Sequence, residues 1–382
     1  MFQAPNFMTA AARRRPRLAF LPGAWFSALL AAMVLGGGAA QAAPPAQVPD
    51  VLDLAVQPAG FDKNSSTSSV TRQGQRLVAV GPRGLIVLST DGGAHWARVG
   101  SPVQADLIAV KFTGVNTLWA VGHDAVALRS ADGGATWQRM LDGRSLLKLL
   151  RARYPSHSGV EEQDKLRVEI ERWSAQSATP EVLPTAFFDV AFSDANNGFL
   201  VGAFGLILHT TDGGKSWTPW IERAENERRL HLYAMAGSGD QVYIAGEQGL
   251  LMKLDQAGQR FVRVKTPYEG SFFGVDVGPG RLLVYGLRGN VYVSPDQGEQ
   301  WNKIVTGTDA SIVAAVPAGG DSLLLVSQAG QVFRMAADGR SALPLPLPPG
   351  GEVLGATTAG PGTLVLARVN GLRMMDIAPV SR

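Results

Sequence analysis

The chain has 382 residues, no cysteine and a formal net charge of +3 at pH 7. The missing cysteines exclude disulfide bonds and a lipid-modified N-terminal cysteine in this sequence. Residues 1–42 contain four arginines and no acidic residue, so the remainder has 31 basic against 32 acidic residues and a net charge of −1. Bulk charge therefore gives no reason to expect a nucleic-acid partner.

Residues 1–42 have the features of an export signal. An apolar stretch from Leu18 to Leu35 is followed by the small-residue motif Ala40-Gln41-Ala42, which is typical of a cleavage site. The apolar stretch is preceded by four basic residues: Arg13, Arg14, Arg15 and Arg17. The alternative is an uncleaved membrane anchor, although Pro22 and Gly23 interrupt the apolar stretch. We expect an exported protein, periplasmic or lumenal, that is cleaved near Ala42.

An internal repeat occupies most of the remaining chain. Three clear copies are followed by three weaker ones and a truncated seventh: 76–99, 117–140, 197–220, 241–264, 281–304, 322–345 and 363–377. Each copy contains short runs of Val, Leu, Ile, Tyr and Trp separated by glycine turns, which is the composition of strands. The residue that begins the third strand recurs about every 41 positions, with one separation of 80: Gly84, Ala125, Gly205, Gly249, Gly289, Gly330 and Gly371.

A further apolar run precedes each copy from the second to the seventh, so each repeat contains four strands. Four-stranded units at this period are typical of propeller blades, which close radially and leave few sheet edges exposed. The sequence therefore predicts an all-β fold, a seven-bladed β-propeller of four-stranded antiparallel blades over residues 43–382. The separation of 80 predicts a helical insertion at about 141–184, between blades 2 and 3. Because the seventh copy stops after its third strand, we expect the run Val51–Val56 to supply the missing outer strand.

Four of the copies carry an aspartate, a glycine-containing turn and a tryptophan five residues after the aspartate. The aspartate can accept hydrogen bonds from turn amides, glycine supplies positive φ, and the tryptophan buries a large apolar face. The same residue repeated in several blades cannot converge on one site. We therefore interpret these residues as structural: Asp91, Trp96, Asp132, Trp137, Asp212, Trp217, Asp296 and Trp301.

This motif resembles the Asp-box, or bacterial-neuraminidase repeat. Its spacing, and the GPRG and GEQG turns that precede the boxes, resemble the photosystem II stability/assembly factor family over about residues 51–380. The resemblance weakens after Trp301, because the last two blades lack the box. It implies an exported, non-enzymatic seven-bladed propeller that binds a membrane protein complex or its subunits and assists their assembly or stability. Outside photosynthetic organisms, the client would be a different complex.

The up-and-down strand order places the turn between the second and third strands and the blade-to-blade connections on one face, which we call the top face. Residues there differ from blade to blade, as expected for a site grafted onto a repeated scaffold. The predicted partner-binding residues are Arg83, His123, Asp124, Arg144, Lys148, Arg151, Arg153, Arg223, Arg228, Arg229, Glu247 and Arg288. The basic first helix of the insertion, which we expect Ser145 to cap, is a candidate surface for a partner or for membrane headgroups. Solvated turn tips and a helical pair packed on the rim are the structural alternatives.

Sialidase-like glycosidases share the Asp-box and represent a different function class. Such an enzyme needs an arginine cluster, a Tyr/Glu nucleophile pair and an acidic aspartate around the channel. Tyr233, on an inner strand, is the candidate nucleophile, with Glu247 or Glu269 as its partner. No motif supports this trio, and the five histidines lack metal-ligand spacing. We therefore expect a monomer without catalytic residues, metal or cofactor.

Overall fold

The computed structural model describes residues 49–319, 322–336, 339–348 and 351–377. The export signal and the predicted cleavage site near Ala42 lie outside the described residues. The described residues belong to one unit, Val48–Arg382. They form seven antiparallel sheets in chain order, which confirms the seven-bladed β-propeller.

In blades 1 to 4, four consecutive strands pair as a meander. Blade 1 contains β1 (Ser69–Gln73), β2 (Arg76–Gly81), β3 (Leu85–Ser89) and β4 (Ala97–Arg98). Blade 2 contains β5 (Leu107–Phe112), β6 (Leu118–Gly122), β7 (Ala127–Ser130) and β8 (Gln138–Leu141). Blade 3 contains β9 (Phe187–Phe192), β10 (Gly198–Gly202), β11 (Ile207–Thr210) and β12 (Thr218–Pro219). Blade 4 contains β13 (Leu232–Ala236), β14 (Tyr243–Gly246), β15 (Leu251–Asp255) and β16 (Arg260–Arg263).

Blades 5 and 6 repeat this arrangement, and blade 7 is shorter. Blade 5 contains β17 (Phe272–Gly278), β18 (Arg281–Gly286), β19 (Val291–Ser294) and β20 (Asn302–Ile304). Blade 6 contains β21 (Ile312–Pro317), β22 (Leu323–Ser327), β23 (Val332–Met335) and β24 (Ala342–Pro344). Blade 7 contains β25 (Val353–Gly360), β26 (Thr363–Arg368) and β27 (Arg373–Asp376).

The cores of the molecule lie between adjacent blades, which is why the second strand of each blade is apolar on both faces. On β2, Val78 and Val80 pack in the core between blades 1 and 2. Leu77 and Ala79 point the other way and pack against Val365 of blade 7. A strand covered on both faces reads as a continuous apolar run, whereas a half-exposed strand alternates.

The Asp-boxes form the turns between the third and fourth strands. In blade 2, Asp132 accepts hydrogen bonds from the Thr136 amide at 2.9 Å, the Thr136 hydroxyl at 2.6 Å and the Ser130 hydroxyl at 2.8 Å. The Trp137 indole donates to the Gly134 carbonyl at 3.0 Å. Burial alone would raise the pKa of Asp132, but the hydrogen bonds from Thr136 and Ser130 hold that pKa at about 2. Each box therefore fixes its turn on the face opposite the top face.

The expected pairing of Val51–Val56 with blade 7 is wrong. Val56 forms an isolated antiparallel bridge with Ser101, and Leu52 is buried in the core between blades 1 and 2. Blade 7 has no fourth strand among the described residues. A short apolar run indicates that a segment is buried, but it does not specify the surface that covers it.

The segment between Val56 and β1 joins blade 1 to blade 7. The Leu372 amide donates to the Lys63 carbonyl at 3.1 Å, and the Thr67 amide donates to the Arg368 carbonyl at 2.9 Å. Gly371 requires the absence of a side chain, since a Cβ there would lie 1.9 Å from the Lys63 oxygen. Strand β1 begins directly after this segment. The ring is therefore closed by the residues that precede β1, which bond to blade 7.

Two helices form the insertion between blades 2 and 3, as predicted: α1 (Gly143–Arg153) and α2 (Glu161–Ser174). The N-cap of α1 is Asp142 rather than Ser145, because the Asp142 carboxylate accepts from the Ser145 amide at 2.8 Å. Ser145 completes a capping box by accepting from the Asp142 amide at 2.9 Å. Leu150 and Ile170 are buried in the same core as the inner residues of blades 2 and 3, so the insertion is part of the propeller core.

Candidate functional site

The first strands of the seven blades surround a central channel whose cavity measures about 520 Å³. Near the start of each first strand, at the end that follows the blade-to-blade connection, one side chain per blade lines the channel. We call these residues the mouth ring: Ser68, Ile108, Phe188, Tyr233, Phe273, Val313 and Leu354. Six of the seven are apolar or aromatic, and none is buried. The three aromatic rings come from the consecutive blades 3, 4 and 5.

A β-bulge isolates the mouth-ring residue in six blades. In blade 5, Phe272 pairs with Gly286 and Gly274 pairs with Tyr285, so Phe273 is the extra residue with no partner on β18. The same register shift occurs in blades 2, 3, 4, 6 and 7. Bulges redirect single side chains and recur next to functional sites. In this protein the bulges leave one apolar side chain per blade outside the strand pairing, and these side chains line the channel.

Further aromatic side chains extend the mouth ring across the top face toward the insertion. Trp173 of α2 stacks on Phe204, with ring centroids 5.4 Å apart, and Phe204 meets His231 at 5.0 Å. His231 contacts Phe188 at 6.0 Å, and Tyr233 lies between Phe188 at 5.6 Å and Phe273 at 5.7 Å. These rings are all partly exposed. Together they form a continuous aromatic surface from the insertion to the channel.

One carboxylate lies inside this aromatic surface. Glu247 accepts a hydrogen bond from the His231 amide at 2.8 Å and one from the Tyr233 hydroxyl at 3.3 Å. His231 Nδ1 accepts from the Phe204 amide at 2.8 Å, so a neutral His231 carries its proton on Nε2. Burial, together with the charge of Glu247, raises the pKa of Tyr233 to about 12. The tyrosine is therefore a neutral hydrogen-bond donor, which also holds Glu247 in place.

The turn tips that the sequence singled out share one backbone conformation. Their second residue has positive φ in five blades: Arg83, Asp124, Phe204, Gln248 and Arg288. This conformation is strained for residues other than glycine, and such strain is common at binding sites. Arg83, His123 and Arg288 are exposed, and Asp124 is half-buried. Burial, then the nearby carboxylates of Asp50 and Asp106, raises the pKa of Asp124. A role for these tips in partner binding stays a prediction.

The arginines of α1 are largely engaged inside the molecule. Arg144 makes two hydrogen bonds to Asp53, at 2.9 and 2.8 Å. Arg151 pairs with Glu171 and Glu181, and Arg153 pairs with Glu222. Lys148 is exposed and forms no ion pair within the part of the chain that the structure describes. The predicted basic surface is therefore smaller than the sequence indicates, since three of its four charges are neutralised where they fix the helices.

The connection between blades 3 and 4 carries three of the predicted arginines, and their surroundings differ. Arg229 pairs with Glu162 at 2.7 Å and Glu169 at 3.3 Å, and Arg228 is exposed. The expected top-face position of Arg223 is wrong. Its guanidinium lies 4.8 Å from the Trp220 ring centroid and donates to Gln259, in the turn before β16 on the opposite face. The connection between blades 3 and 4 passes beside the start of β16 and runs parallel to that strand, where Ala224 bridges Phe261, so Arg223 lies away from the top face.

The glycosidase constellation is incomplete. Tyr233 and Glu247 do approach each other, but the raised pKa of Tyr233 opposes its use as a nucleophile near neutral pH. No arginine lines the described channel. Its basic residue is Lys111, which pairs with Asp189 at 2.6 Å. Glu269 is exposed on the connection between blades 4 and 5 and forms no ion pair within the described chain. The arrangement therefore lacks the cationic cluster that would bind a sugar carboxylate.

Sequence reasoning identified Tyr233 and Glu247 but missed the other mouth-ring aromatics. Phe187-Phe188 and Phe272-Phe273 are adjacent pairs at the same position of the repeat, which was the available signal. Within the described residues, no group of acidic and histidine side chains has the arrangement of a metal site. The described helices are also too short or too polar to span a membrane.

Comparisons with known proteins confirm the resemblance that the Asp-boxes indicated. Residues 167–343 match the family described as photosynthesis system II assembly factor YCF48. The chain is 29% identical over 165 residues to the photosystem II assembly lipoprotein Ycf48 of Synechococcus sp. (strain CC9902), covering 42% of this chain and 48% of that protein. It is 30% identical over 161 residues to the chloroplastic photosystem II stability/assembly factor HCF136 of Cyanidioschyzon merolae (strain NIES-3377 / 10D), covering 40% of this chain and 37% of that protein. The chain thus matches less than half the length of these curated relatives.

A solved structure of YCF48 bound to D1 peptide has a similar fold. Its TM-score is 0.57 with 14% sequence identity, and the match covers 85% of this chain and 96% of that chain. At this identity the likeness shows the fold alone.

Proposed function

Because this chain resembles the photosystem II stability/assembly factors in its repeat sequence and in its fold, we propose that it is an exported, non-enzymatic propeller that assists a membrane protein complex. Its activity is to bind a peptide segment of a membrane protein subunit at the mouth of its central channel. The segment lies on the exported side of the membrane, where the propeller meets it after synthesis.

The observation that carries this proposal is the mouth ring and its aromatic extension. Large aromatic side chains give binding energy at low entropic cost, and they are concentrated at the centres of protein interfaces. Six partly exposed rings in one contact chain would be an unusual surface for a protein without a ligand. The relative described as bound to D1 peptide shows that a propeller of similar fold accepts a peptide.

The chemistry of the mouth favours binding over catalysis. The Tyr233 hydroxyl has a raised pKa, its carboxylate partner is committed to two hydrogen bonds, and the channel lysine is paired. Efficient acid–base or nucleophilic catalysis requires a group whose pKa is tuned toward neutrality. Preorganised aromatic rings and a fixed carboxylate are sufficient for recognition.

The test is capture of membrane proteins from detergent-solubilised membranes by immobilised chain 43–382. We expect a membrane protein subunit to be retained, and the Phe188→Ala/Phe273→Ala double variant to retain much less of it. Val115→Ala is the matched control, because Val115 is 79% exposed in the loop next to the blade-2 Asp-box, on the opposite face. Equal capture by the mouth variant and the control, at equal melting temperature, would exclude the mouth as the binding site.

A further inference from the structure

We propose that the aromatic mouth selects a cationic side chain, a lysine or arginine of the bound segment. This inference rests on the proposed peptide-binding function and adds to it the chemistry of the residue that enters the mouth. Its basis is a carboxylate without an ion-pair partner among the described residues, which contacts a tyrosine that has an aromatic ring on either side.

Glu247 is the carboxylate in question. It is half-buried and forms no ion pair with any described residue, in contrast to Asp189 deeper in the channel, which has Lys111 as its partner. The two hydrogen bonds that its carboxylate accepts come from neutral donors, the His231 amide and the Tyr233 hydroxyl. Neutral donors hold the carboxylate in position but leave its negative charge uncompensated. A partly buried, uncompensated carboxylate attracts a cation more strongly than an exposed one, because screening by water is weaker.

A second carboxylate adds to the negative potential at the same place. The Gly249 amide donates to the Gly270 carbonyl at 2.9 Å, so the connection that carries Glu269 lies against the tip that carries Glu247. Glu269 is exposed and has no ion pair among the described residues. The neighbouring tip carries Arg288, which is exposed and pairs with neither glutamate.

The three aromatic rings of the mouth ring complete the cation site. Phe188 and Phe273 lie on either side of Tyr233, with centroids 5.6 and 5.7 Å from it, and their planes are inclined by 40° and 69° to the tyrosine ring. Aromatic faces carry partial negative charge and attract lysine and arginine within about 6 Å. Because the three rings are inclined to one another, their faces are presented at different angles along the mouth, and a cation bound to Glu247 can lie against such a face.

The experiment uses two small probes with the same side-chain shape and different charge. N-acetyl-lysine amide and N-acetyl-norleucine amide are titrated into chain 43–382 while NMR follows the ring resonances of Phe188, Tyr233 and Phe273. We expect the lysine probe to bind saturably and about tenfold more tightly than the norleucine probe. Added salt should weaken the lysine probe only, because the charge is partly screened.

Two variants separate charge from folding. Glu247→Gln keeps a carbonyl oxygen as acceptor for the His231 amide, and its NH2 group can donate to the Tyr233 hydroxyl oxygen, so the melting temperature should hold while lysine binding weakens about tenfold. Glu299→Gln is the matched control, because it makes the same change of charge at an exposed glutamate in the turn between β19 and β20, on the opposite face, and it should leave lysine binding unchanged. Equal binding of the two probes, or no saturable binding of either, would overturn the cation site. Neither result would contradict the proposed function, which the capture experiment tests independently.

Discussion

The ammonium group of Lys111, on the inner strand of blade 2, donates a 2.6 Å hydrogen bond to the carboxylate of Asp189 on the inner strand of blade 3. The same carboxylate oxygen accepts from the Met235 amide of blade 4 at 2.8 Å, and Lys111 also donates to the Met235 carbonyl at 3.2 Å. The Asp189 side chain is only 6% exposed. This ion pair therefore connects three blades directly beneath the aromatic part of the mouth ring.

Removing only the lysine should be costly. Lys111→Met leaves a buried carboxylate with two backbone amide donors, Met235 and Val190, and no cation, and we expect a loss of about 1–3 kcal/mol in the free energy of unfolding. The measurement is urea denaturation followed by tryptophan fluorescence. Lys111→Met/Asp189→Asn should recover part of the loss, because the neutral amide still accepts from Met235. A double variant less stable than Lys111→Met would show that the pair does not act as described.

The Asp-box of blade 2 should affect stability without affecting partner binding. Asp132→Ala removes the acceptor for Thr136 and Ser130, and the exposed position limits the cost to about 1 kcal/mol. Thermal melting and the membrane capture experiment measure the two properties separately. An unchanged melting temperature together with lost capture would mean that the box contributes to the binding site.

The boxes should also make the propeller sensitive to acid. Hydrogen bonds hold the pKa of Asp132 at about 2 in the folded protein, whereas an unfolded aspartate titrates near 3.9. The folded state therefore binds fewer protons in this interval, so the stabilisation is complete above about pH 4 and is lost as the pH falls toward 2. Urea midpoints measured between pH 6 and 2 should fall less steeply for Asp132→Asn than for the parent. If the urea midpoints of the parent and of Asp132→Asn fall equally steeply with pH, the low pKa of Asp132 does not contribute to the acid sensitivity.

The insertion should be needed for folding of blades 2 and 3. Leu150 is buried in their shared core, so Leu150→Ala should cost about 2–5 kcal/mol. Val168→Ala, on the exposed side of α2, is the control and should change little, since Val168 is 60% exposed. We therefore expect that residues 141–184 cannot be removed without loss of the fold. Equal melting temperatures for the two variants would restore the view of a peripheral helical pair.

The repeat made most of the fold predictable, because each copy reports the same four strands and the Asp-box marks the same turn. Ring closure was not predictable, since Val51–Val56 has the composition of a strand and only tertiary packing assigns it to blades 1 and 2. The prediction for Arg223 was wrong for a related reason, because the spacing along a connection does not reveal that the connection passes beside the start of β16.

The candidate site was predictable only in part. Tyr233 and Glu247 could be identified from the sequence because they are titratable, whereas Phe188 and Phe273 have the composition expected of any strand. A bulge shifts a side chain from the core to the channel without changing composition, so the residues that line the mouth emerge only from the register of the inner strands.

Site-specific photo-crosslinking tests directly whether a segment of a membrane protein binds at the mouth of the channel. A photoreactive phenylalanine analogue is placed at Phe273 in the mouth ring or at Val115 on the opposite face, and each protein is irradiated with isolated membranes. We expect a covalent adduct with a segment of a membrane protein from position 273 and none from position 115, and mass spectrometry identifies the crosslinked segment. Adduct formation from position 115 but not from position 273 would contradict it.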